Sequence, residues 1–248
     1  MEENDSGTHG PDCDGTRSIA LVLLPGMDGT GKLFSWLLDA LPGWILPRPV
    51  QSPVDAELSF SDLLLTAQSA IPSDEPFVLL AESFSTPIAV RIAAARPSNL
   101  RALVICAGFV ASPVRGPLRL LLSFLAPGLF RFGVPDMVVS GLLLGKTGSR
   151  NRLRSVSAAI SSVSPRVLSH RLRAVLECDE MAELEKVVVP ILYIRAGKDR
   201  LVGESSLPTI LRVRPNTSLA RIIGPHLILQ AEPQRADDAL VNFLQHDW

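Results

Sequence analysis

Apolar positions along this chain gather into short unbroken runs, each closed by a proline, a glycine or a charged residue. Such runs start near Ile19, Trp44, Phe77, Leu100, Val189 and Leu219. An unbroken apolar run of strand length marks a strand buried on both faces, as in a parallel sheet covered by helices. Between runs the period changes: Ile88, Ile92 and Ala95 recur at helical spacing in an alanine-rich stretch. About six strands alternating with helices predict an α/β fold with a mostly parallel sheet and helices on both faces.

From 107 to 186 the alternation stops, and Leu, Arg, Ser and Gly dominate a stretch that reads as several helices joined by Pro and Gly breaks. The division this predicts is a single domain over 17–248, with a core of 17–108 and 187–248 and a helical cap insertion over 109–186. In the apolar part of the insertion, 118–144, Arg119, Pro127, Arg131, Pro135 and Asp136 interrupt too often for a helix sunk in hydrocarbon. Stable membrane insertion is therefore not expected. A cap with its apolar face over a reacting centre would supply an acyl-chain pocket, although packing against the sheet accounts for the same leucines. Residues 1–16 are polar and lack an apolar h-region, which predicts a disordered tail rather than a signal peptide.

Length and composition agree with one catalytic-sized domain: 248 residues, 47% hydrophobic, with a formal net charge of -1. Three scattered cysteines, Cys13, Cys106 and Cys178, fit neither a disulfide framework nor zinc spacing. They point to a reducing, cytoplasmic location, and no metal is expected. Charge is distributed unevenly, because residues 112–176 hold ten basic side chains and Asp136 as the one acid, +9 against −10 elsewhere. A solvated face accounts for most such runs. The functional alternative is docking of an acidic partner such as an acyl carrier protein, with Arg150, Arg152 and Arg154 as candidate contacts. Nucleic acid is not expected, since aromatic residues do not interleave with these arginines and the chain has one tyrosine.

Candidate chemistry sits where the predicted strands end. The segment Leu79-Leu80-Ala81-Glu82-Ser83-Phe84-Ser85 places Ser83 between small residues at a strand-to-helix turn. A serine there presents its hydroxyl above the sheet, and small neighbours let the turn pass close to adjacent strands. The usual pattern is Gly-x-Ser-x-Gly, whereas here Ala81 and Ser85 occupy the flanks. Most such pentapeptides are ordinary turns or helix caps, so the rest of the chain must decide. After the run 19–24 comes Pro25-Gly26-Met27-Asp28-Gly29-Thr30-Gly31, whose glycines allow backbone N–H groups to converge. The N–H groups of Met27 and Phe84 are candidate donors to an oxyanion. A phosphate-binding loop is the alternative, but the spacing matches neither Gly-x-Gly-x-x-Gly nor the P-loop.

Two further strand ends carry Asp199, in Gly197-Lys198-Asp199-Arg200, and His226, in Pro225-His226-Leu227. Each alone is more often a cap or a structural residue. Together with Ser83 they follow the order Ser, Asp, His, in which an imidazole takes the hydroxyl proton and a carboxylate orients the imidazole. Of the other histidines, His9 lies in the tail, His170 in an arginine-rich helix and His246 near the end; among acids, Asp179 does not end a strand and Glu204 is a minor alternative.

On these motifs the chain resembles the α/β-hydrolase superfamily from residue 19 to 243. It is most similar to cap-bearing carboxylesterases, including the type that cleaves the methyl ester of pimeloyl acyl carrier protein in biotin synthesis. The resemblance implies a cofactor-free serine esterase with Ser83, Asp199 and His226 as its triad and Met27 and Phe84 as oxyanion donors. An acyl thioesterase or lipase-like hydrolase is the alternative within that chemistry. A non-catalytic ligand receptor on the same fold is the alternative outside it. Two departures stand out: Pro25-Gly26 replaces the usual His-Gly, and the elbow glycines are replaced, which predicts a tighter turn. The antiparallel hairpin that opens most members is also not apparent.

Overall fold

The computed structural model describes residues 18–114, 116–145 and 149–246. The expected tail over 1–16 and the basic residues Arg115 and Lys146 lie outside the described residues. Among the described residues six strands form one sheet: β1 (Ile19–Leu24), β2 (Ile45–Pro49), β3 (Phe77–Glu82), β4 (Leu100–Cys106), β5 (Ile191–Ala196) and β6 (Ser218–Ile222). Their order is β2-β1-β3-β4-β5-β6 and every pairing is parallel. The two strands buried at every position, β1 and β3, sit side by side near the middle.

The unbroken apolar runs divide by parity. In β1, Ala20, Val22 and Leu24 enter one core layer, while Ile19, Leu21 and Leu23 enter the other. The first layer is closed by α2 (Phe60–Ser69), α3 (Thr86–Ala94), α8 (Met181–Lys186) and α9 (Ser206–Val213), through Leu63, Ile88, Leu184 and Ile210. The second is closed by α1 (Ser35–Leu38), α10 (Ile228–Ala231) and α11 (Pro233–His246), through Leu37, Leu229 and Leu240. Helices on both faces leave the carboxyl ends of the strands as the open rim where loops can hold a ligand.

Over that rim lie α4 (Pro117–Leu129), α5 (Asp136–Val138), a π-helical turn at Val139–Leu144, α6 (Arg150–Ser161) and α7 (Pro165–Glu177). They make two small apolar clusters, one of Val139, Leu144 and Val156 with Leu33 and Leu227, the other of Val163, Val167 and Leu168 against Met27. The last helix of the stretch expected to be cap behaves differently, because α8 packs on α3 and α9 and buries Leu184 in the core layer. Nor are all the large apolar residues of 118–144 buried: Leu120, Phe124 and Met137 are exposed.

Candidate active site

β3 ends at Glu82, and the next residue turns the chain sharply. Ser83 has φ 51°, in the left-handed region that a residue with a Cβ rarely enters. A single helical turn, Ser83–Ser85, then leads into α3, whose first residues include Pro87 with its preset backbone. The strain is held by its surroundings. Ala81 is fully buried between β1 and β4, and the Ser85 hydroxyl donates to the carbonyl of Pro25, so the flank where a glycine is usual is tied to the loop after β1.

Asp199 and His226 follow β5 and β6. His226 is 3% exposed, and its ring spans the two other groups: Nε2 is 2.9 Å from Ser83 Oγ and Nδ1 is 2.8 Å from Asp199 Oδ2. An ionised carboxylate only accepts, so the proton belongs on Nδ1 and leaves the Nε2 lone pair to accept from the serine hydroxyl. The other carboxylate oxygen, Oδ1, accepts from the backbone N–H groups of Leu201 (2.8 Å) and Val202 (3.0 Å). Those two bonds fix the carboxylate in place. Glu204, the alternative acid, is 95% exposed at its side chain and pairs with Arg195. Asp179 is exposed, and His246 bonds its own helix at Asn242.

A cavity of about 520 Å³ opens onto these groups, with Gly26, Met27, Ser83, Phe84 and His226 in its floor. Its roof is apolar, built from Leu122, Phe130, Leu143, Val156, Leu168 and Leu172, among others. Met27 and Phe84 thus face the same space as Ser83, whereas Arg150, Arg152 and Arg154, at the start of α6, do not line it.

Around this floor stand polar groups that the motifs did not reveal. Asp28 is buried and accepts from both the Thr30 N–H (2.9 Å) and hydroxyl (2.5 Å), which shapes a loop in which Gly29 and Gly31 both take φ 69°. Arg171, on α7, reaches down into the loop: Nη1 donates to the Met27 carbonyl (2.8 Å) and Nη2 to the Pro53 carbonyl (2.9 Å). Its guanidinium carbon lies 6.0 Å from the centroid of the Phe84 ring. A Cβ on Gly29 would come within 2.5 Å of this guanidinium, so glycine there serves proximity as well as φ. Burial lowers the Arg171 pKa, while the Asp28 charge works the other way. One buried cation therefore touches the peptide or ring of both residues expected to supply oxyanion donors. Sequence reading grouped it with a solvated charge run, since its partners are backbone carbonyls far away along the chain.

Glu82 is the third unforeseen group, buried directly before Ser83. Gln230 Nε2 donates to its Oε2 at 3.3 Å, and Oε1 has no partner among the described residues. Burial, reinforced by the nearby Asp28 charge, pushes its pKa up to about 7, against the pull of Gln230 and His226. Between about pH 4.5 and 7 the unfolded chain has released this proton and the folded chain has kept it. Folding stability should therefore fall as pH rises through that window, by about 3 kcal/mol from this group. Urea unfolding at pH 5 and pH 8 measures the drop, and Glu82→Gln should flatten it. An unchanged slope in the variant would show that the residue ionises normally.

No family model matches the chain. It is 27% identical over 257 residues to the polyketide synthase ThaQ of Burkholderia thailandensis, a match covering 93% of the chain and 12% of the synthase. The chain thus spans about an eighth of the length of that curated relative. Among solved structures it is similar to a bromoperoxidase from Bacillus anthracis, with a TM-score of 0.77, 15% identity and 92% of each chain covered. A hydrolase from Oleispira antarctica gives a TM-score of 0.75 at 14% identity, with 94% of this chain and 92% of that one covered. An enol-lactonase from Burkholderia xenovorans LB400 gives 0.76 at 12% identity, over 93% and 92%. Together with the six-stranded parallel sheet, these likenesses establish the α/β-hydrolase fold.

Proposed function

We propose that the protein is a serine hydrolase that cleaves carboxylic esters through an acyl-enzyme. The observation that carries this reading is the imidazole of His226 set between Ser83 Oγ and Asp199 Oδ2, at hydrogen-bond distance from both. The Ser83 hydroxyl attacks the ester carbonyl and its proton passes to His226 Nε2. Asp199 holds the imidazole in the required tautomer and stabilises it once charged. Negative charge collects on the former carbonyl oxygen, where the N–H groups of Met27 and Phe84 stabilise it. His226 then hands its proton to the leaving alcohol, and water repeats the sequence on the acyl-enzyme. No metal or organic cofactor takes part in these steps.

The apolar cavity suits an acyl chain, and its volume lies within the range of small-molecule sites. Similarity to part of a polyketide synthase favours an acyl thioester as the second reading. Aryl esters of increasing chain length, assayed beside matching acyl thioesters, separate the two. Turnover of esters with a preference for medium or long chains is expected, and exclusive turnover of thioesters would replace the esterase reading. A fluorophosphonate probe addresses the non-catalytic alternative: covalent labelling at Ser83 is expected, and a folded chain that resists the probe would favour the receptor reading. Cleavage of a pimeloyl carrier-protein methyl ester belongs to the same panel as one candidate substrate.

A further inference from the structure

Helix α4 faces the wrong way for a helix packed on a protein core. Successive residues turn by 100°, and the side turned inward carries Leu122, Ser123 and the fully buried Ala126. The outward side carries Leu120, Leu121, Phe124 and Leu125, with Leu120 74% and Phe124 83% exposed. In the turn that follows, Phe132 is 93% exposed. A soluble helix puts its large apolar residues inward, and a contiguous apolar face left in water marks a binding surface.

The chemistry of the face selects its partner. From 117 to 132 the polar side chains are Arg119, Ser123 and Arg131; Ser123 is half-buried and both arginines are exposed. The Arg131 guanidinium sits 6.0 Å from the centroid of the Phe132 ring, an apolar ring beneath a cationic tip. The sequence has no acid from 112 to 135, and the next one, Asp136, accepts a 2.5 Å hydrogen bond from Ser157. Two copies joined face to face would bring the cations Arg119 and Arg131 into one interface with their counterparts from the second copy and no acid to offset them, which disfavours a dimer here. A protein interface also needs roughly one hydrogen bond per 100–200 Å², and this face offers little beyond two guanidinium groups. Apolar side chains flanked only by cations match an anionic lipid surface instead.

We propose that α4 and the turn after it dock the protein on an anionic membrane surface, with the outward leucines and phenylalanines among the acyl chains and Arg119 and Arg131 against headgroup phosphates. Arg150 and Arg154, also exposed, add attraction at longer range. Docking is peripheral, because no helix among the described residues is long and apolar enough to cross a membrane. The same helix lines the cavity with Leu122 and Leu129, so an acyl chain leaving the bilayer reaches Ser83 along an apolar path. This last step, in which the substrate is a lipid-borne ester, rests on the hydrolase reading; docking itself does not.

Vesicle flotation of the full chain tests it, with phosphatidylcholine alone and with an equal mixture of phosphatidylcholine and phosphatidylglycerol. The protein is expected to float with the mixed vesicles, to do so less as salt is added, and to remain at the bottom with phosphatidylcholine alone. The paired substitution Leu120→Asp and Phe124→Asp should lower the bound fraction at least tenfold while leaving circular dichroism and turnover of a soluble short-chain ester at wild-type levels. Wild-type protein that stays at the bottom with mixed vesicles, or a double variant that floats equally well, overturns the proposal. So does a wild-type dimer in sedimentation that the double variant converts to monomer, which would give the face to a second copy. Binding of an acidic carrier protein that is lost in the double variant, without flotation, would give it to that partner. Flotation without fluorophosphonate labelling would leave the docking intact and remove the hydrolase reading alone.

Discussion

Alanine in place of Ser83 or of His226 is expected to lower ester turnover by ~10⁴–10⁶, with either variant losing nearly as much as both together. The reason is geometric: the imidazole is the only base within reach of the hydroxyl among the described residues, and without it the alcohol proton has no acceptor. Asp199 offers a sharper test. Its Oδ1 is held by the N–H groups of Leu201 and Val202, so in Asp199→Asn the amide oxygen takes that place and the NH₂ group faces His226. A donor facing Nδ1 forces the proton onto Nε2, the nitrogen that must be free to accept. The expected loss is about 10⁴, matching the tautomer effect known for such triads, with the fold unperturbed. Asp199→Asn retaining wild-type kcat would remove Asp199 from the chemistry. Single-turnover kinetics on an aryl ester, with circular dichroism as the control for folding, make both measurements.

The second large effect is expected at Arg171, which touches no substrate. Arg171→Met keeps the apolar stem but removes the donors to Met27 O and Pro53 O, and it takes the cation away from Asp28. With two part-buried carbonyls losing a charged donor, stability should fall by about 2 kcal/mol. More telling is kcat, expected to drop about 100-fold, the scale of losing one oxyanion donor, while KM stays nearly constant. A transition-state interaction is lost in that pattern, not substrate binding. Arg171→Lys should recover activity in part, since an ammonium supplies one of the two bonds but not the planar fork. A purely structural Arg171 would give a variant of lower melting temperature whose folded fraction turns over at the wild-type rate, and that result would remove it from the positioning of the oxyanion loop.

The sequence displayed this sheet because β1, β3, β4 and β5 are buried on both faces and so must be apolar at nearly every position. Each strand then ends in a small set of polar residues at the rim, which is why Ser83, Asp199 and His226 stood out. Patterns are weaker elsewhere: β2 is exposed along most of its length, and α8 packs into the core layer although it continues a helical stretch. Arg171, Glu82 and Asp28 were illegible for a different reason. Their partners are two backbone carbonyls, a distant glutamine and a neighbouring turn, and none of these leaves a spacing signature. Leucine content made 118–144 look like ordinary buried helix. Only the direction in which each side chain points separates Leu122, over the cavity, from Leu120, in water.

The two bonds from Arg171 also decide how a bulky molecule gets in. They fasten α7 to the loops that follow β1 and β2, so a hinge that lifted every helix of the roof as one lid would have to break both bonds of a buried guanidinium. Widening of the entrance that keeps those bonds must come from roof helices other than α7, α4 among them. Cross-linking α4 to α7 should accordingly choke the entry of long substrates while short ones still pass.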